Sequence, residues 1–235
     1  MDLIQALAAE LGKDPRHVEN VVRLLDEGNT IPFIARYRKE LHGAMDDTSL
    51  RTLEERLQYL RGLEERREAV KKSIDEQGKL TDELAAAIDS AKTLAEVEDL
   101  YRPYKQKRRT RATMAKEKGL EPLAALLFAQ ERDCPRPEEA ARDFVDPEKG
   151  VETVEDALQG ASDIIAEQIS DDAAIRKSLR ALISRQGQLV SRAATEDDSV
   201  YRLYYDFTQS VARLQGHQVL AINRGEKEGI LKVSI

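Results

Sequence analysis

The 235-residue sequence has no tryptophan, a single cysteine, seven prolines and twelve glycines. Cys134 alone forms no disulfide within the chain, which excludes a disulfide-stapled scaffold. Glycine and proline fall far short of the roughly quarter share that marks collagen-like or low-complexity chains. No apolar run approaches the roughly 20 residues a membrane-spanning helix requires, so no membrane association is expected. The opening Met1-Asp2-Leu3-Ile4-Gln5 lacks the basic-then-apolar order of a secretory signal, and with the lone thiol this points to the cytoplasm. Seven Tyr and four Phe leave the core to Leu, Ile, Val and Ala, a composition that favours helices.

Charge, by contrast, is abundant. Lys and Arg number 37 and Asp and Glu 44, a net of −7, which argues against a uniformly basic nucleic-acid coat but not against a local patch. The punctuation is helical. Leu3, Ile4, Leu7, Ala8 and Leu11 recur at three or four, and Gly12 can end that helix. Asp14-Pro15 reads as an N-cap and first helical residue, with the second helix ending at Gly28. A third is expected from Thr30-Ile31-Pro32 to His42-Gly43, in which Phe33 could fill the core. One long helix follows from Asp47 or Thr48 to Gln77, carrying Leu50, Leu53, Leu57, Leu60, Leu63, Val70 and Ile74. At 1.5 Å per residue it is roughly 45 Å long. No strict heptad persists, so packing within the chain is favoured over a coiled coil.

Thr93-Leu94-Ala95-Glu96 is a capping box that starts a helix at Leu94, and Pro103 ends it near Tyr101. Further helices are expected from Pro122 to Gln130, Pro137 to Phe144, Val154 to Ile169 with Thr153 as cap, and Asp171 to Arg185. After residue 186 the texture becomes β-like. His217 to Asn223 and Gly229 to Ile235 read as two strands joined by a turn at 224–228. The fold class is therefore mainly α, a multi-helix domain organised on one long helix, with a short β-hairpin at the C-terminal end. A lone hairpin is marginal in water, so the chain reads as part of a longer one.

Between residues 102 and 118 charge concentrates. Arg102, Lys105, Lys107, Arg108, Arg109, Arg111, Lys116 and Lys118 are opposed only by Glu117, a balance of +7 that leaves −14 elsewhere. Lys105, Lys107, Arg108, Arg109 and Arg111 suit phosphate contacts whose affinity falls steeply with salt. Tyr101 and Tyr104 flank them, where they could stack on bases. Two other readings stay open: ion pairs with the acidic helices on either side, the tyrosines closing a core corner, or docking on a protein. On the third helix, Arg36, Arg38 and Lys39 surround Tyr37. With Ile34 and Leu41 turned inward they would face outward and add to a basic groove, or remain solvated or paired with Glu40 and Asp46.

Signals of catalysis are poor. Neither G-x-x-x-x-G-K-[ST] nor a strand-borne G-x-G-x-x-G occurs, and His17, His42 and His217 lack metal-ligand spacing. Cys134 has no neighbouring histidine. Asp46-Asp47, Asp171-Asp172 and Asp197-Asp198 fall at helix starts or in loops, where Asp serves as a cap. No enzyme activity, metal or cofactor is expected; a hydrolase would need clustered carboxylates or an activated nucleophile.

Three ordered blocks, Leu24 to Glu40 (LLDEGNTIPFIARYRKE), Asp99 to Lys105 (DLYRPYK) and Ala115 to Ala124 (AKEKGLEPLA), closely resemble the N-terminal region of the Tex family of bacterial transcription accessory proteins. Tyr205-Asp206-Phe207, Val211-Ala212-Arg213 and His217 to Gly229 resemble that family's entry into its central region. The resemblance implies residues 1–195 as a helical domain with helix-turn-helix-like elements, and 196–235 as the truncated opening of a central β-containing region. It also implies a longer cytoplasmic protein with a ribonuclease-H-like domain, a helix-hairpin-helix element and an S1 domain as main nucleic-acid reader. The expected function is thus a non-catalytic helical module associated with RNA or DNA, non-specifically and largely through domains not present in these residues. The other reading is a scaffold that docks on the transcription machinery without touching nucleic acid.

Overall fold

The structure is a computed structural model and describes residues 3–132, 134–195 and 198–235. It divides into two compact units, Met1–Tyr101 and Arg102–Ile235.

The first unit is built from α1 (Leu3–Leu11), α2 (Pro15–Asp26), α3 (Ile31–Tyr37), α4 (Asp47–Asp75), α5 (Asp82–Ser90) and α6 (Leu94–Tyr101). Caps set these boundaries. The Asp14 carboxylate accepts from the Arg16 N–H at 2.8 Å, and Asp46 accepts from the Ser49 N–H at 2.8 Å. Gly12 adopts φ +61°, the left-handed stop that only glycine takes without strain.

α4 is the spine, and it packs against neighbours in its own unit. Leu50, Leu53 and Leu57 close a core with Leu7, Val18, Val21, Leu24, Ile31 and Ile34 from α1 to α3. Further along, Leu63, Val70 and Ile74 are buried, as are Ile88 of α5 and Val97 of α6. Ion pairs line the same helix: Arg56 with Glu10, Arg61 with Asp26, Lys71 with Asp89, Arg66 with Glu98. These are half-exposed and worth about 0.2–1 kcal/mol each, so they set register more than stability.

α3 is shorter than expected, ending at Tyr37 instead of near His42. The backbone leaves the helical region at Arg38, with φ −128° and ψ 32°; Gly43 and Ala44 then take positive φ, and the Leu41 carbonyl is held by the Asn20 side chain of α2 at 3.1 Å. Phe33 does not fill the core either. Ile31 and Ile34 take that role, and the opposite face carries Phe33, which is 36% exposed.

The second unit contains α7 (Arg111–Glu117), α8 (Glu121–Ala129), α9 (Pro137–Arg142), α10 (Val154–Asp171), α11 (Ala173–Gln186), β1 (Gln188–Ala193), β2 (Asp206–Ser210), α12 (Gly216–Lys227) and β3 (Leu231–Ser234), with 3-10 turns at Arg102–Tyr104, Pro147–Lys149, Arg202–Tyr204 and Val211–Arg213. α10 is its centre, opened by a reciprocal capping box between Thr153 and Asp156. Small side chains allow close helix packing: Ala157 and Ala161 lie buried with Ala112, Ala115, Leu120, Leu123, Ala140 and Ile164. A Cβ on Gly160 would collide with Leu120.

The strands form an antiparallel sheet in the order β2-β1-β3, with Val190 opposite Thr208 on one side and Ser234 on the other. The β element is present, but the expected hairpin of 217–223 with 229–235 is not. Residues 216–227 are helix α12, opened by the Gln215 N–H donating to the Gln218 side chain at 2.9 Å. Gly225, within the expected turn, sits inside that helix, where a Cβ would stand 2.7 Å from Leu231 Cδ1 and 3.1 Å from Tyr201. A short Val-Leu-Ala-Ile run fits either period, and the glycine serves close packing rather than a bend.

Two outcomes follow for the first unit. Leu53→Ala should lower its stability by roughly 2–5 kcal/mol in urea unfolding, because a fully buried side chain is removed between α4 and its neighbours. Arg61 holds the Asp26 carboxyl below its ordinary value of 3.8. The lowered value means that the pair's contribution is complete above the ordinary carboxylate range and disappears as pH falls through the folded-state value. Asp26→Asn should therefore abolish a small acid-side stability loss of about 1 kcal/mol or less, read by urea titration across pH.

Candidate nucleic-acid interface

The basic segment begins in the 3-10 turn Arg102–Tyr104, runs without regular structure through residues 105–110, and enters α7 at Arg111. Beside it stands one face of α10. Asp163, Glu167 and Asp171 are spaced by four residues, so they project along a single row. Asp171 is the last residue of α10, where the helix dipole disfavours negative charge, and it draws in two cations. Arg102 Nε donates to one of its oxygens at 2.9 Å and Lys107 Nζ to the other. Lys107 also lies 3.6 Å from Glu167. Thr110 completes the attachment: its hydroxyl donates to Glu167 at 2.9 Å while accepting the Thr113 N–H that caps α7. Between segment and helix lies an open cleft of about 440 Å³ lined by both signs of charge.

The structure thus sorts the cations. Arg102 and Lys107 are held by Asp171, whose side chain is only 12% exposed. Arg109 pairs with Glu117 at 2.7 Å on the surface, and Arg111 reaches Asp163 at 3.7 Å while remaining 80% exposed. Lys116 lies 3.5 Å from Glu121, and Lys118 donates to the Gly150 carbonyl. Lys105 and Arg108 are exposed and have no ion pair among the described residues. Much of the +7 is therefore neutralised at close range: Lys105 and Arg108 are the cations of the segment without an ion pair among the described residues, while Arg109 and Arg111 are paired yet remain exposed.

The flanking tyrosines do not both stand ready for stacking. Tyr101 closes the first unit: its hydroxyl shares a hydrogen bond with Ser73 at 3.0 Å, and the Arg66 guanidinium lies 5.4 Å from its ring centre. Tyr104 is half-buried in the second unit. Arg36 and Arg38 belong to the first unit, on α3 and the residue that follows it. Both are exposed, without ion pairs to Glu40 or Asp46 among the described residues.

The carboxylate row of α10 is the element that the sequence reading missed. Its signal is a four-residue spacing within an expected helix, whereas by sequence Asp171-Asp172 suits a cap. Asp172 does cap α11, accepting from the Ile175 N–H at 2.8 Å, whereas Asp171 binds cations. The Asp197-Asp198 pair lies partly outside the described residues. Among the described residues no three His, Cys, Asp or Glu side chains group as a metal ion would require, and no helix is long and apolar enough to cross a membrane.

Residues 1–75 match the family model described as Tex-like protein N-terminal domain, and residues 133–235 that described as Tex central region-like. YdcI of Bacillus subtilis is 49% identical over 237 residues, covering 99% of this chain and 33% of that protein. Transcriptional accessory protein Tex of Neisseria gonorrhoeae is 43% identical over 240 residues, covering 100% and 31%. The human S1 RNA-binding domain-containing protein 1 is 31% identical over 245 residues, covering 100% and 24%. The chain thus spans between about a quarter and a third of the length of these relatives. With both blocks matched in order and similarity running along essentially its whole length, the chain belongs to the Tex family, of which it carries the N-terminal domain and central-region sequence.

Proposed function

We propose that this chain is a non-catalytic helical part of a cytoplasmic transcription accessory protein that associates with nucleic acid. The observation that carries the reading is the exposed cationic stretch 105–111, fixed at Lys107 and Thr110 and presenting Lys105, Arg108, Arg109 and Arg111 to solvent. Contacts of this kind go to phosphates and do not depend on base sequence. Arg36 and Arg38 on the first unit supply further cations. The names of the relatives support the same direction, one as a transcriptional accessory protein and one for an S1 RNA-binding domain.

A second reading, docking on the transcription machinery, is favoured by α11. Its Ile175, Leu179, Leu182 and Ile183 form a stripe at helical spacing that is more than a third exposed, and none of the helix's residues is buried. An uncovered apolar stripe is a common mark of a protein interface.

Fluorescence anisotropy with RNA or duplex DNA across a salt series tests the first reading. Lys105→Ala/Arg108→Ala is expected to reduce the slope of log affinity against log salt by about 2, close to one per phosphate contact removed. No binding at low salt, or an unchanged slope, would sink the proposal. Asp171→Asn acts on the anchor instead. It should cost roughly 1–3 kcal/mol and speed amide exchange across residues 104–108, since Arg102 and Lys107 lose their shared partner.

A further inference from the structure

α3 carries an anomaly that neither the core nor the basic segment explains. Ile31 and Ile34 seal the first unit, and the other side of the same short helix holds two aromatic rings in solvent. Phe33 is 36% exposed and Tyr37 is 57% exposed, their centroids 5.2 Å apart and their planes tilted by 46°. Leaving two large rings partly wet forgoes apolar burial that a core position would gain. Cations frame them: the Arg38 guanidinium lies 5.5 Å from the centre of the Phe33 ring, and Arg36 and Lys39 are exposed with no ion pair among the described residues. The one acidic neighbour in sequence is Glu40.

We infer that the face formed by Phe33, Arg36, Tyr37, Arg38 and Lys39 is a stacking site for single-stranded nucleic acid. Flat apolar rings offer base faces a partner in any sequence, while Arg36 and Lys39 meet the phosphates on either side. The guanidinium over Phe33 extends the platform, since it too stacks on planar π systems. Duplex nucleic acid keeps its base faces stacked inside and cannot use the rings, so this site selects single strands where the segment 105–111 does not. The inference deepens the nucleic-acid reading and rests on it.

The test uses the full chain and a short fluorescein-labelled oligouridylate, with a duplex DNA of equal length as comparison. Tyr37 is surface-exposed, so Tyr37→Ala should melt like the parent by circular dichroism. It should weaken oligouridylate binding at least roughly fivefold and leave duplex binding unchanged. Because the chain has no tryptophan, Tyr37→Trp places a single indole at the site, and its emission should be quenched as oligouridylate is added. Equal oligouridylate affinity in parent and Tyr37→Ala, while Lys105→Ala/Arg108→Ala weakens it, would overturn the stacking site and leave the phosphate reading standing. Absence of binding in the parent at low salt would overturn both. Polyglutamate binding that Tyr37→Ala weakens, with oligouridylate unaffected, would make the face a docking site for an acidic protein and overturn the inference.

Discussion

The first unit depends on the burial of one stripe along a 29-residue helix. Leu50, Leu53, Leu57, Leu63, Val70 and Ile74 are all 2% exposed or less, and no single neighbouring helix is long enough to cover them. Two groups of short helices share the task in succession, which is why this unit contains one long element and five brief ones. The stripe is interrupted by a guanidinium. Arg67 is 2% exposed, and burial of its charge is tolerated because one nitrogen donates to Glu64 at 2.6 Å and another to the Ala91 carbonyl at 2.5 Å. Ala91 is the C-cap that follows α5, where carbonyls lack helical partners. The spine thus supplies the donor that terminates its neighbour.

Elements bounded by local chemistry were legible in the sequence. Asp14-Pro15, Asp46, Thr153 and Gly12 act through contacts within a few residues, so helix starts and stops follow from composition alone. The spine was legible for a different reason, since seven apolar positions at helical spacing leave no competing period. What failed was decided by tertiary contact. Gly225 is indistinguishable from a turn glycine until Leu231 and Tyr201 are seen against it. Phe33 is as apolar as Ile34, and only the direction of the helix face tells which of them is buried. The candidate cations were legible as a cluster, while their division into paired and unpaired members was not, because it depends on a helix some sixty residues downstream.

That division also changes the meaning of the net charge. A +7 segment in a chain of −7 suggests a strongly polarised surface, yet α10 brings carboxylates against it at contact distance. Local neutralisation, not the sum over the chain, sets the potential that a polyanion meets. The buried Asp171 holds two of these cations and, of the three carboxylates, is screened least by solvent.

Anchoring the basic segment at Lys107 and Thr110 bears on entropy as well as charge. An unrestrained loop surrenders about 1–2 kcal/mol per residue of backbone freedom when a ligand orders it. Here part of that cost is already met in folding, through the carboxylates of α10 and the first turn of α7. The same acidic row that removes charge from the surface therefore stiffens what charge is left, exchanging strength of attraction for readiness of shape.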